Sequence, residues 1–231
     1  MLENILPRAK IIHEFAAVAT PNTGALIGEC IELSGDQAQT SNNGTSRKGF
    51  HLKTKLNVGC GLDIKSDYIN LDVASLPGVD IVHDLNKFPW PFPDNSFQEI
   101  QLINVLEHLP DTISTIEELH RIAAPNAKVI IRVPFWNSPD MLNDPTHKRS
   151  FNENTLNFFD PSLPECRSRP YYSFARFTIA KKICYIRCIV YFKIENILAT
   201  RLLFFFARFL GAIVWVVEFN ILAVKQSNIP K

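Results

Sequence analysis

Residues 56–72 read Leu56-Asn-Val-Gly-Cys-Gly-Leu-Asp-Ile-Lys-Ser-Asp-Tyr-Ile-Asn-Leu-Asp72. Parsing this stretch decides the fold. Lys55 to Val58 is a short apolar run of the kind a buried parallel strand shows. Gly59 and Gly61 follow at once, so the backbone can turn sharply and approach a ligand with no Cβ in the way. A second run, Tyr68 to Leu71, ends in the carboxylate of Asp72. In open α/β sheets, ligands bind outside the carboxyl ends of the strands. A glycine turn and an acid at two such ends suit a nucleoside whose ribose hydroxyls both donate to the carboxylate.

A dinucleotide site wants a third glycine three places after Gly61, where Ile64 stands, and an acid about 20 residues on. Asp72 follows Gly61 by only 11 positions. A nucleoside with a small zwitterionic tail fits better, and S-adenosylmethionine is such a molecule. On Asn57-x-Gly59-Cys60-Gly61 and Tyr68-x-Asn70-x-Asp72 the sequence resembles the small type 11-like branch of the class I methyltransferases, over about residues 55–159 and again at the last strand. The resemblance implies a Rossmann-like α/β sandwich with a seven-stranded, mostly parallel sheet and an antiparallel last strand. It implies that Gly59, Cys60 and Gly61 meet the cofactor through backbone, that Asn57 sets the turn and that Asp72 holds the ribose. Asp84 and Leu85, after a third strand over Val79 to Asp84, would meet adenine. Asn104 would lie near the amino-acid tail. His108, in Leu106-Glu107-His108, and His147, in Asp144-Pro145-Thr146-His147, are the candidate bases, since imidazole titrates near neutrality.

Composition narrows the alternatives. A net charge of +1 makes no electrostatic case for nucleic acid. Five scattered cysteines do not form a disulfide framework, and a reduced cytosol suits them better. Cys184 and Cys188 lie four apart but lack a second ligand pair, so no metal site is expected. The first residues have neither the basic start nor the apolar core of a secretory signal.

Residues 1–50 read as an extension with a short helix at Ile11 to Val18 and a polar linker at Gly35 to Gly49. The methyltransferase domain would occupy residues 51–231. Six residues separate Gly61 from Tyr68, too few for the dozen a parallel crossover needs, so the first helix must be reduced to a turn. A fourth strand is expected over Glu99 to Val105. A helix follows over Asp111 to Ala124, capped by Asp111, with Ile113, Ile116, Leu119 and Ile122 inward and a Glu117–Arg121 surface pair. Pro125-Asn126 ends it, and Ala127 to Val133 is the fifth strand. Phe151 to Phe159 reads as another helix, with Asn152 as its cap.

The tail is unusually apolar. Tyr171 to Phe192 reads as a long strand or hairpin arm. Residues 193–212 read as an apolar helical insertion before a last strand over Val214 to Val224. A bilayer span wants about 20 apolar residues, and this run breaks at Arg208. It reads as a core helix or, with Arg201 and Arg208 at headgroups, as a peripheral membrane contact over residues 197–210. The expected function is methyl transfer to a small-molecule, sugar or lipid acceptor, by O-methylation. The alternative is a non-catalytic module of the same fold, acting as a partner in a membrane-associated complex. The sequence leaves the oligomeric state open.

Overall fold

The computed structural model describes residues 54–187, 191–211 and 213–225. The extension over residues 1–50, with its helix and linker readings, lies outside them. In chain order the elements are β1 (Lys55–Val58), β2 (Ile69–Asp72), β3 (Ile81–Val82), β4 (Phe97–Ile103), a 3-10 turn (Leu106–His108), α1 (Thr112–Ile122) and β5 (Ala123–Pro134). There follow α2 (Pro139–Asn143), a 3-10 turn (Thr155–Phe159), α3 (Pro164–Ser168), a 3-10 turn (Pro170–Tyr172), β6 (Phe177–Arg187), β7 (Tyr191–Ile194), α4 (Ile197–Leu210) and β8 (Val214–Ala223).

The strands form one mixed sheet in the order β3-β2-β1-β4-β5-β8-β6-β7. β3, β2, β1, β4 and β5 run parallel, whereas β8 lies antiparallel to both β5 and β6, and β6 to β7. The α/β class holds, with eight strands among the described residues where seven were expected. The stretch read as one long arm at 171–192 contributes two strands, β6 and the start of β7, which pair antiparallel, and β7 continues the sheet past β6. Two further boundaries move. The third strand is only the pair Ile81–Val82, and the fourth ends at Ile103, leaving Asn104 in the left-handed region at φ +55°.

No helix joins β1 to β2. Two amides take its place. Asn57 and Asn70 face each other in the β1–β2 register, both buried, and Asn57 also pairs in register with Gln101 of β4. Asn57 Nδ2 donates to the Asp63 carbonyl (2.7 Å) and Asn70 Nδ2 to the Lys65 carbonyl (3.0 Å), while Lys65 N–H donates to Asn70 Oδ1 (3.0 Å). Gln101 Nε2 donates to Asn57 Oδ1 at 2.9 Å. Loop backbone and strand amides therefore satisfy one another over this part of the sheet, as buried polar groups must.

α1 packs on the sheet through Ile116, Leu119 and Ile122, all fully buried. Asp111 caps it, with Oδ1 accepting from Ser114 N–H at 3.0 Å. Two readings of this helix need correction. Ile113 is 42% exposed. Arg121 pairs with Glu118 (2.6 Å) and Asp94 (2.7 Å), because Glu117 instead accepts from the Ser173 hydroxyl and the Phe174 N–H. Asn126 takes φ +61° and turns the chain inside β5. The expected helix at 151–159 is only the 3-10 turn Thr155–Phe159. Asn152 Oδ1 accepts from the N–H of Asn154, the turn's cap position, two residues on.

Candidate active site

The glycine turn and the acid meet. Asp72 Oδ2 accepts from Gly61 N–H at 2.7 Å, and Oδ1 accepts from Ala74 N–H at 2.9 Å. A carboxylate offers about four lone-pair positions, so each oxygen keeps one for a further donor. Gly59 and Gly61 both sit at positive φ, +61° and +50°. A Cβ on Gly59 would lie 2.5 Å from Val105 Cγ2, whereas one on Gly61 would project into open space with nothing within 4 Å. That open side, bordered by an ionisable side chain with spare acceptor positions, fits the sugar of an adenosyl group. Cys60, between the glycines, donates its N–H to the Leu71 carbonyl (3.0 Å) and keeps its thiol buried. Burial, and after it the nearby Asp72 charge, pushes that thiol up. The Cys60 N–H is therefore spent inside the sheet, and only the carbonyl side of this residue is left toward a ligand.

Asn57 is two residues from the turn and reaches it only through the Asp63 carbonyl. At the tip of β3, Asp84 Oδ1 accepts from the backbone and side chain of Asn86 (3.0 and 2.9 Å), which closes a small turn and holds its carboxyl below the ordinary range. Leu85 is buried and its carbonyl accepts from the Trp90 indole N–H. Asn104 is exposed at the tip of β4, its N–H bonded to the Arg132 carbonyl.

Val105, pressed against Gly59, leads directly into the 3-10 turn that carries Glu107 and His108. The loop after β5 folds back over this turn, where Lys148 and Arg149 N–H donate to the Glu107 carbonyl. That return brings the two histidines into edge-to-face contact, ring centroids 4.7 Å apart. Thr146 donates its hydroxyl to Asp144 Oδ1 (2.6 Å) and so must accept from His108 Nδ1 at 2.9 Å. His147 Nδ1 lies 3.0 Å from the Met141 carbonyl, which can only accept. Both neutral rings therefore carry their proton on Nδ1 and a lone pair on Nε2. Burial, and then the neighbouring His147, holds His108 below its ordinary value.

Glu107 is the residue that sequence reasoning undervalued. It is fully buried, and neither carboxylate oxygen has a hydrogen-bond partner. Burial pushes its carboxyl up to about 7. His147 Nε2 lies 4.0 Å from its Oε1 and 3.9 Å from Asp144 Oδ2. The Leu-Glu-His triplet pointed to this turn, but nothing in it distinguishes a buried glutamate from an exposed one. Asp144 and Thr146 stood in the quoted loop segment, though their tie to His108 spans 38 positions and no local pattern shows it.

Among the described residues, cavities also lie elsewhere. One, of about 820 Å³, is lined by Glu117, His120, Arg121 and the 170–176 segment. Another, of about 780 Å³, lies between β6 and α4.

A family model described as a methyltransferase domain matches residues 3–165. A demethylmenaquinone methyltransferase from Staphylococcus epidermidis is 32% identical over 73 residues, which is 30% of this chain and 30% of that protein. One from Lysinibacillus sphaericus is 27% identical over 73 residues, 30% and 31% of the two chains. The chain thus spans under a third of the length of these curated relatives. Among solved structures, a SAM-dependent methyltransferase from Thermotoga maritima, described as a possible histamine N-methyltransferase, has TM-score 0.47 at 15% identity, covering 74% of this chain and 81% of that one. One from Archaeoglobus fulgidus has TM-score 0.46 at 14% identity, covering 73% and 85%. The family match takes in more than half of the chain, including the glycine turn, the strand tips around it and both histidines, and the chain belongs to the family described as a methyltransferase domain.

Proposed function

We propose that this protein methylates a hydroxyl of a small organic acceptor. When bound, S-adenosylmethionine supplies an already electrophilic methyl group, so the chain's own work is alignment, exclusion of water and removal of one proton. The remaining acceptor positions of Asp72 and the bare backbone at Gly61 would hold the nucleoside end; Asp84 and Leu85 would face adenine, and Asn104 the amino-acid tail. The observation that carries the reading is the pair of imidazoles, each with a free Nε2 lone pair, reached from the glycine turn through Val105. A hydroxyl acceptor must lose its proton as the new bond forms, and a proton-accepting cluster beside the cofactor turn suits that need. The local match to demethylmenaquinone methyltransferases also favours a small-molecule acceptor.

The test is turnover with methyl-labelled cofactor against a panel of phenols, quinols, sugars and lipid hydroxyls. We expect transfer to at least one class, and His108→Ala to lower kcat by roughly 10²–10³ with cofactor affinity retained. Equal turnover in the variant would remove the proton-accepting role.

A second feature concerns where the acceptor is met. Leu198, Leu202, Phe205 and Phe209 recur at helical spacing along one side of α4 and are 54–77% exposed. The opposite side, with Phe204 and Ala207, is buried, and Phe204 stacks on Phe135 at 5.5 Å. Arg201 and Arg208 flank the outward stripe. No helix among the described residues is long and apolar enough to cross a membrane. We infer that α4 rests in the headgroup layer of an anionic bilayer, apolar stripe down and Arg201 at the phosphates. Asn137 Nδ2 donates to the Ala207 carbonyl (2.7 Å) and Arg208 pairs with Glu153 (2.5 Å). A bilayer at α4 would thus adjoin the loop that carries His147, and a membrane-dissolved acceptor would have a short path.

A further inference from the structure

The Glu107 carboxylate poses a problem of charge. It is fully buried with two unpartnered oxygens. An ion in that state costs several kcal/mol unless something neutralises it. The polar atom facing it, His147 Nε2, bears a lone pair in the neutral ring, because Nδ1 is committed to the Met141 carbonyl. His108 is held in the same tautomer through Thr146 and Asp144. Three electron-pair donors therefore converge, and hydrogen bonds already hold both Nδ1 positions. Each residue offers one ligand atom, and the three lie within 4.8 Å of one another.

We propose that Glu107, His108 and His147 bind one divalent transition-metal ion. Two imidazoles and one carboxylate form a donor set that suits Zn²⁺ or Fe²⁺ and leaves at least one coordination position open. Tetrahedral zinc with bonds near 2.1 Å needs ligand atoms about 3.4 Å apart. The 4.0 Å between His147 Nε2 and Glu107 Oε1, and separations of up to 4.8 Å within the set, would have to close to that by side-chain rotation. The outer partners agree with the assignment. Metal-bound histidines donate their second N–H to a carbonyl or toward a carboxylate, as His147 does to Met141 and His108 does through Thr146 to Asp144. The ion would balance the charge of Glu107. Its role, which rests on the hydroxyl-acceptor reading and replaces direct proton removal by the two imidazoles whose Nε2 lone pairs it occupies, is to take the acceptor oxygen as a ligand. That oxygen then loses its proton to solvent at neutral pH, and its electron pair forms the O–CH₃ bond as the S–CH₃ bond breaks toward sulfur. The site itself does not depend on that reading.

The experiment uses the full chain, stripped with chelator and dialysed. It is titrated with Zn²⁺ by calorimetry and with Co²⁺ by visible absorption. We expect about one ion per chain, imidazole-nitrogen d–d bands with Co²⁺, and at least roughly 100-fold weaker binding in Glu107→Gln and His147→Ala. Glu107→Gln keeps the side-chain shape, and thermal unfolding with cofactor titration checks that each variant is folded. Less than about 0.2 equivalents bound by the parent chain, or equal affinity in folded variants, overturns the site. Stoichiometric binding with turnover unchanged by chelator supports the site and overturns its role. Binding with no transfer to any acceptor supports the site and counts against the hydroxyl-acceptor reading alone.

Discussion

At the scale of single residues, Asp72 does two jobs at once. Its carboxylate receives N–H groups from both sides, Gly61 and Ala74, and so braces the turn whose open side faces the proposed cofactor. Removing it loosens the turn as well as deleting the ribose partner. Asp72→Ala is expected to lower S-adenosylmethionine affinity at least 100-fold by calorimetry, and stability by about 1–2 kcal/mol in urea unfolding. Asp72→Asn keeps one carbonyl acceptor and should restore most of the stability but little of the affinity. Unchanged affinity in both variants would refute the ribose role. Gly59 and Gly61 differ in a way their spelling does not reveal. At Gly59 a side chain collides with Val105, and at Gly61 it would occupy ligand space. Both need positive φ, which identifies the glycines as a turn but not which of them faces a ligand.

At the scale of elements, α4 carries two apolar faces. Burial of Phe204 and Ala207 against the sheet explains why the helix forms where it does, with Asn196 Oδ1 accepting from Leu198 and Ala199 N–H as its cap. The outward stripe contributes nothing to that packing. Phe205→Glu together with Phe209→Glu is therefore expected to leave the thermal midpoint within a few degrees of the parent. The same pair should abolish cosedimentation with vesicles containing phosphatidylserine, and neutral vesicles should bind the parent protein more weakly. Retained vesicle binding by the double variant would reject the bilayer assignment. A parent protein that ignores vesicles but sediments as a dimer would assign the stripe to a second copy. The apolar run was readable as a helix from the sequence. Which of its faces was left outside depended on β6 and β8, which lie on either side of it in the chain.

For the whole molecule, the antiparallel half of the sheet is tied by one ion pair. Arg132 of β5 pairs with Glu218 of β8 at 2.6 Å, and Tyr185 of β6 donates to the same oxygen at 2.8 Å. Burial would push Glu218 up, but these bonds outweigh it and hold the carboxyl below its ordinary range. Arg132→Met leaves that buried charge short of its partner and should cost about 2–4 kcal/mol in urea unfolding. Arg132→Met with Glu218→Leu should recover most of the loss, and a double variant no better than the single one would show that the pair is not coupled. The parallel core, the glycine turn, the acid at the second strand tip and the missing first helix were all legible in the sequence. Each is a local matter of glycine conformation, apolar period and the minimum length of a crossover. The extra strand, the inward turn of Glu107 and the meeting of His108 with His147 were decided only by tertiary structure. Burial and the pairing of groups 38 or more positions apart depend on how the loop after β5 folds back, and no window of neighbouring residues carries that information.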